Sequence, residues 1–222
     1  MPSVDSPLVY WPALLVGAYL LGSIPFAQVA ARLHGIDLRK VGTGNVGAGN
    51  LSRQVGWGWG VAAAVLDGLK GLGPVWIARH FGLGLGAAGM AGLAAVVGHN
   101  WSILLRGRSG RGLATSVGLV LGLDPVLLVW TGGWAVGGWK IGGGLGGFLG
   151  WGMLPLVAMA LFRPPNETLL LALLSVVLMG RRMQGNGADA RDLDLPPLKR
   201  IIYDNDLAPE ELPGRAEDPA VP

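Results

Sequence analysis

Between two long apolar runs the chain reads IDLRKVGTGNVGAGNLSR, Ile36 to Arg53. Arg39 and Lys40 stand early in this stretch and Arg53 closes it, around a core of Thr, Asn and Gly. Closely spaced glycines let successive backbone N–H groups point at one anion, so Thr43, Gly44, Asn45, Gly47, Asn50 and Arg53 are candidate ligands for a phosphate. A helix beginning near Asn50 would add its positive end, with Arg53 about one turn into it. Gly42 to Gly47 formally matches G-x-G-x-x-G, but no βαβ unit surrounds it, which excludes a dinucleotide fingerprint. The plainer alternative is a flexible loop.

A second polar stretch, GHNWSILLRGRSGRGLATS, runs from Gly98 to Ser116. Arg106, Arg108 and Arg111 are interleaved with Ser109 and glycines, and Thr115 and Ser116 follow. Three arginines beside an apolar run commonly mark topology alone. Their spacing with glycine also fits a second phosphate-binding turn. His99 and Asn100 belong to the same region, as positioning groups or as structural hydrogen-bonders. A third signal, DGLKG, puts Asp67 and Lys70 at i and i+3 on one helix face inside an apolar run, where an ion pair would lower the burial cost. The chain has no cysteine, and its three histidines lack ligand spacing. No metal site and no cofactor are expected.

The elements that must position these residues are membrane helices. The chain of 222 residues is 51% hydrophobic and 14% charged, with a mean hydropathy of +0.48. Apolar runs occupy Leu8–Ala31, Val55–Ile77, Leu83–Leu105, Leu113–Leu123, Val126–Trp139, Ile141–Phe162 and Thr168–Met179. A full crossing needs about 20 residues. The run before Asp124-Pro125 is too short for that, so it is either a short helix packed inside protein or half of one kinked helix. Counting Lys and Arg near the run ends decides between seven spans and six. Seven spans put thirteen inside and two, Arg79 and Arg163, outside; six give eight against seven. The sequence therefore predicts an all-α integral membrane protein of seven transmembrane helices, some short, with the N-terminus out and the C-terminus in. All three polar clusters then fall at or near the cytoplasmic side. Small-xxx-small pairs (Gly56/Gly60, Gly118/Gly122, Gly133/Gly137, Gly138/Gly142, Gly146/Gly150) predict close helix packing, and tryptophans near run ends fit an interfacial belt. Residues 1–184 form the membrane domain. Residues 185–222 form a polar tail, expected to be largely disordered and cytoplasmic.

Taken together, GSIPFAQVAARLHGIDLRKVGTGNVGAGNLSR, LDGLKG and GHNWSILLRGRSGRGLATSVG resemble the bacterial acyl-phosphate:glycerol-3-phosphate acyltransferases, the PlsY family of small integral membrane enzymes, in order and spacing. The resemblance implies seven helices in the bacterial inner (cytoplasmic) membrane with the active site at the cytoplasmic face. It implies transfer of a fatty acyl group from acyl phosphate to the 1-hydroxyl of sn-glycerol 3-phosphate, giving lysophosphatidate and phosphate. The partners implied are those two substrates, membrane lipids and the soluble enzyme that makes acyl phosphate; no nucleic acid is expected. The family's motif serine falls on Thr43, its asparagines on Asn45 and Asn50, its phosphate-binding arginine on Arg53, and the lysines of its basic loop on Arg108 and Arg111. An acyl phosphate is already activated, so positioning and charge stabilisation can carry the rate without a nucleophilic residue. The chain departs from the family pattern at its C-terminal end. The family ends its last helix with a His-Arg-x-Asn run and a nearby Glu, and here the end reads LMGRRMQGNGADARD. Arg181, Arg182 or Gln184 is expected to supply the missing contacts. The alternatives are a non-catalytic or altered-acceptor relative that binds lipid phosphates, or a small transporter of a phosphorylated solute, which would place its polar residues nearer the bilayer midplane.

Overall fold

A computed structural model describes residues 10–141, 143–185, 198 and 200, and most of the predicted tail lies outside them. The described secondary structure is helical. The first apolar run, expected as one helix, is two: α1 (Trp11–Ser23) and α2 (Phe26–Leu33). Pro25 causes the break. It has no N–H and pushes the residue before it out of the helical region, and Ile24 is extended at φ −68° and ψ 115°. After the glycine-rich loop come α3 (Ala48–Gln54), α4 (Trp57–His80), α5 (Leu85–Asn100) and a 3₁₀ turn (Ile103–Leu105). The stretches Trp11–Leu33, Trp57–His80 and Leu85–Leu105 are long and apolar enough to cross a membrane.

α6 (Leu113–Leu123) ends at Asp124, whose backbone is extended, and α7 (Leu127–Ile141) begins beyond Pro125. Of the two readings of this region, no continuous helix runs through the proline. The Asp124 carboxylate accepts the Val126 N–H at 3.1 Å and so satisfies a donor at the start of α7. The run Ile141–Phe162, read as one span, is broken into α8 (Gly143–Gly147), a π-turn (Phe148–Gly152) and α9 (Leu154–Ala160). Its glycines are poor helix formers, and Pro155 suits only the first turn of a new helix. α10 (Pro165–Gln184) outruns its apolar segment and carries Arg181 and Arg182 into its last turn.

Glycine sets the crossings of α1 with α5 and of α4 with α6. A Cβ on Gly22 of α1 would strike the Ala95 backbone of α5, and one on Gly98 of α5 would strike the Tyr19 carbonyl of α1. Gly71 of α4 meets the Thr115 carbonyl, and Gly118 of α6 meets the Gly68 carbonyl, in the same way. Backbones approach this closely only where side chains are missing. Of the expected small-residue pairs, Gly118/Gly122 lies at such a crossing, whereas Gly133 and Gly137 face open space. Val75, Val96, Leu119, Leu171 and Leu174 fill the interior. Val16, Leu20, Val65, Leu69, Trp76, Val129 and Val176 point outward, as lipid-facing residues do. At one end of the bundle Arg163 pairs with Asp124 at 2.6 Å, and Arg79 donates to the Gly122 carbonyl at 2.7 Å. The polar clusters gather away from that end.

Candidate active site

The glycine-rich loop is held in shape from both sides. Gln28 of α2 donates to Asp37 at 2.9 Å and accepts the Leu38 N–H at 3.1 Å. Asp37 also receives Arg32 at 2.8 Å and Arg39 at 2.8 and 2.9 Å. The bonded Arg39 guanidinium holds the Asp37 carboxyl well below the usual carboxylate range, although burial acts the other way. Gly42 and Gly44 adopt φ of +55° and +66°, which glycine takes without strain. From α3 the Asn50 amide reaches back and is shared among the carbonyls of Leu38, Val41 and Asn45, at 3.2, 3.1 and 3.1 Å. Its donors are thus committed to backbone, and Asn50 shapes the cradle instead of offering its amide to a phosphate. The Thr43 hydroxyl accepts the Asn45 N–H at 3.4 Å.

α3 starts at Ala48 and has seven residues, with Arg53 in its last turn and exposed. The helix starts two residues before Asn50, close to the expected point. The Arg53 guanidinium lies along Gly49, a Cβ on which would sit 3.9 Å from Nη1. Arg53 therefore stands at the rim of the site.

Deeper in, the expected ion pair is present. Asp67 and Lys70 of α4 are 2.8 Å apart, and each is 2% exposed. Lys70 also donates to the Ile24 carbonyl at 2.8 Å, at the break between α1 and α2, and lies 5.4 Å from the Phe26 ring centre. His99 of α5 places Nδ1 3.7 Å from the Asp67 carboxylate, with Gly110 against its Nε2 face.

These groups surround a cavity of about 280 Å³. Asn45, Gly47, Asn50, Asp67, His99 and Arg111 form its polar wall. Leu113, Ala114, Gly147, Leu178 and Met179 form an apolar wall, and Arg182 stands at its edge. An anion-sized polar pocket with a greasy side suits a ligand carrying both a phosphate and a hydrocarbon chain.

The structure separates the predicted site residues. Asn45, Gly47, Asp67, His99, Arg111 and Arg182 meet at the cavity. Thr43, Gly44, Ser109, Thr115, Ser116, Asn100, Lys70 and Arg181 stand behind it, and Arg108 is exposed outside the lining. The hydroxyls of Thr115 and Ser116, the Asn100 side-chain amide and Asn45 Oδ1 are buried and have no hydrogen-bond partner among the described residues.

Arg181 is committed to backbone carbonyls. It is 5% exposed, and its guanidinium donates to the carbonyls of Asn100 at 3.2 Å, Ser109 at 2.8 Å and Gly185 at 2.8 Å. It ties the end of α5 and the basic turn to α10. Gln184 likewise is bonded to the Trp101 indole N–H at 2.8 Å. Of the three residues expected to replace the family's C-terminal motif, Arg182 lines the cavity. Sequence reasoning missed Gly147, Leu178 and Met179. They are apolar residues with no chemistry of their own to flag them, and only the fold brings them to the pocket. Among the described residues no group of three metal-ligating side chains occurs.

The family model described as glycerol-3-phosphate acyltransferase matches residues 12–188. The chain belongs to the glycerol-3-phosphate acyltransferase family. A family member named glycerol-3-phosphate acyltransferase, from Thermus thermophilus, is 51% identical over 121 residues, covering 54% of this chain and 60% of that protein. The chain thus aligns with less than two thirds of that relative's length. The crystal structure titled PlsY (YgiH), an integral membrane glycerol 3-phosphate acyltransferase in its glycerol 3-phosphate form, superposes with a TM-score of 0.73 at 32% identity, covering 78% of this chain and 88% of that one. Its lysophosphatidic acid form gives a TM-score of 0.71 at 31% identity, with the same coverage. The family match takes in the glycine-rich loop, the Asp67–Lys70 pair, the basic turn and all of α10.

Proposed function

We propose that this chain is a membrane acyltransferase that moves a fatty acyl group from acyl phosphate to the 1-hydroxyl of glycerol 3-phosphate. The observation that carries the reading is the cavity walled by the glycine-rich loop, the basic turn and an apolar face, in a chain of this family. The acceptor hydroxyl oxygen attacks the acyl carbon. The bond from that carbon to the phosphate oxygen breaks, and inorganic phosphate leaves carrying the hydroxyl proton on one of its oxygens. No covalent enzyme intermediate is required, because the mixed anhydride is already activated. What the protein contributes is proximity and fixed positive charge around two phosphates. Arg111 at the wall and Arg53 at the rim are suited to that task, with the N–H groups of the loop between them. Burial of Asp67 against Lys70 keeps a carboxylate near the site from repelling the substrates.

Seven membrane crossings, with the cavity at the cytoplasmic face of the bacterial inner membrane and the N-terminus outside, are part of the same reading. It is supported by the distribution of basic residues and by the alternating direction of the helices between the Asp124–Arg163 end and the cavity end. We include in the proposal delivery of the donor by a soluble enzyme that makes acyl phosphate. Full-length protein in lipid nanodiscs, given acyl phosphate and labelled glycerol 3-phosphate, should release phosphate and form labelled lysophosphatidate one for one. Labelled glycerol 3-phosphate that binds without being acylated would favour the altered-acceptor or non-catalytic relative and overturn this assignment.

A further inference from the structure

The family match ends at residue 188, yet a residue beyond it is built into the rim of the cavity. Arg200 donates from Nη1 to the carbonyls of Met183 at 3.2 Å and Gln184 at 3.4 Å, the last carbonyls of α10. Its side chain crosses Gly185, whose φ of +68° turns the chain away from the helix. In return the Arg200 carbonyl accepts Nε–H of Arg182 at 3.1 Å. A cation on exposed C-terminal carbonyls is a favourable helix cap. Here the capping residue also grips a side chain that lines the cavity. Fixing Nε fixes the plane of the Arg182 guanidinium, and Nη1 is then the atom nearest to a Cβ built on Gly147, across the seam between α8 and α10.

We propose that Arg182, positioned by the C-terminal segment through Arg200, binds a substrate phosphate from the α10 side of the cavity. The proposal rests on the acyltransferase reading and assigns the segment beyond the family match a part in the site. Asp67 brings no net charge, since Lys70 neutralises it, so the lining cations are Arg111 of the basic turn and Arg182 of α10. Two guanidinium groups lining one cavity suit a phosphate dianion. Arg200 is the positioning residue. It stands outside the lining and acts through Arg182.

The test is a coupling measurement on full-length protein, with KM taken separately for glycerol 3-phosphate and for acyl phosphate. Arg182→Gln should raise KM for one of the two by about tenfold or more, as loss of a charge-assisted contact does. Whichever KM moves identifies which phosphate Arg182 holds. Arg200→Ala should raise the same KM several-fold without moving the other, and Arg200→Lys should restore most of it. Arg182→Gln with Arg200→Ala should be no worse than Arg182→Gln alone. Additive effects, or an unchanged KM in Arg182→Gln, overturn the proposal. So does a fall in kcat with both KM values intact, which would mark a merely structural role. If the wild type transfers no acyl group, the acyltransferase reading fails by itself. Calorimetric binding of glycerol 3-phosphate to the same four proteins then decides the coupling by the same criteria.

Discussion

Replacing Arg181 by Ala should unfold the cavity end of the bundle before it alters any substrate contact. The Arg181 guanidinium serves three carbonyls on three segments: Asn100 at the end of α5, Ser109 in the basic turn and Gly185 beyond α10. A hydrogen bond from a charged donor contributes about 1.5–3 kcal/mol, and buried carbonyls left without a donor cost about 1–3 kcal/mol each. These contributions are not additive, and water reaching the Gly185 end recovers part of the loss. A net cost of about 3 kcal/mol is the reasonable expectation for one buried, multiply bonded side chain. On the scale of soluble domains of this length, that corresponds to a drop of roughly 6–12 °C in melting temperature. The assay is thermal unfolding in detergent, followed by tryptophan fluorescence, for wild type, Arg181→Ala and Arg181→Lys. The lysine variant should recover less than half of the loss, because one ammonium group cannot reproduce a planar fork reaching three carbonyls. An Arg181→Ala protein that melts with the wild type but has a tenfold higher KM would refute the reasoning and return Arg181 to the ligand set.

Lys70→Met should destabilise strongly by leaving Asp67 buried without its partner, and Lys70→Met with Asp67→Leu should recover most of the loss in the same melting assay, as buried pairs do when both charges go. Asp37, whose carboxyl is held low by Arg39, contributes stability that is complete above its ordinary value of 3.8 and is lost as pH falls through its lower folded value. The melting temperature of wild type should therefore fall faster than that of Asp37→Asn below about pH 4, and parallel curves would exclude the brace. Single cysteines at positions 53 and 200 should be shielded from an impermeant maleimide in intact cells and one at 163 labelled; external labelling at 200 would reverse the proposed orientation.

Much of the fold was legible because a bilayer demands long apolar runs, and these can be counted. The runs leading to α4, α5, α6 and α7 appear as helices close to their predicted bounds. What misled was continuity. A run of apolar residues shows no seam at Pro25, or between Gly143 and Pro155, where backbone geometry breaks the helix without changing hydropathy. The polar lining of the cavity was legible for the opposite reason: Asn45, Asp67, His99 and Arg111 are polar or ionisable groups within or beside long apolar runs, where such types are rare without a task. Their neighbours were harder to assign. Asn50 and Arg181 have ligand chemistry but give their donors to backbone carbonyls, and composition cannot tell a donor aimed at a ligand from one aimed at a loop. Leu178 and Met179 read in sequence like any other lipid-facing residues, and only the fold places them at the cavity.

The Asp67–Lys70 pair also bears on how the chain is made. Helices leave the translocon roughly in order, so α4 must partition into lipid before α5 and α6 have arrived to bury it. A lone Asp or Lys at mid-helix costs about 2.5–3.5 kcal/mol on the insertion scale, and two unrelated charges would make a marginal segment of so glycine-rich a helix. Placed one turn apart on one face, the two enter as a single neutral unit whose partner is already attached. Lys70 needs only α1, synthesised earlier and already waiting in the membrane, whose Ile24 carbonyl was left accessible by the proline that follows it. Asp67, Lys70 and the Ile24 carbonyl are all encoded before α5, so the pair has its partners at hand before the downstream helices arrive to pack on α4.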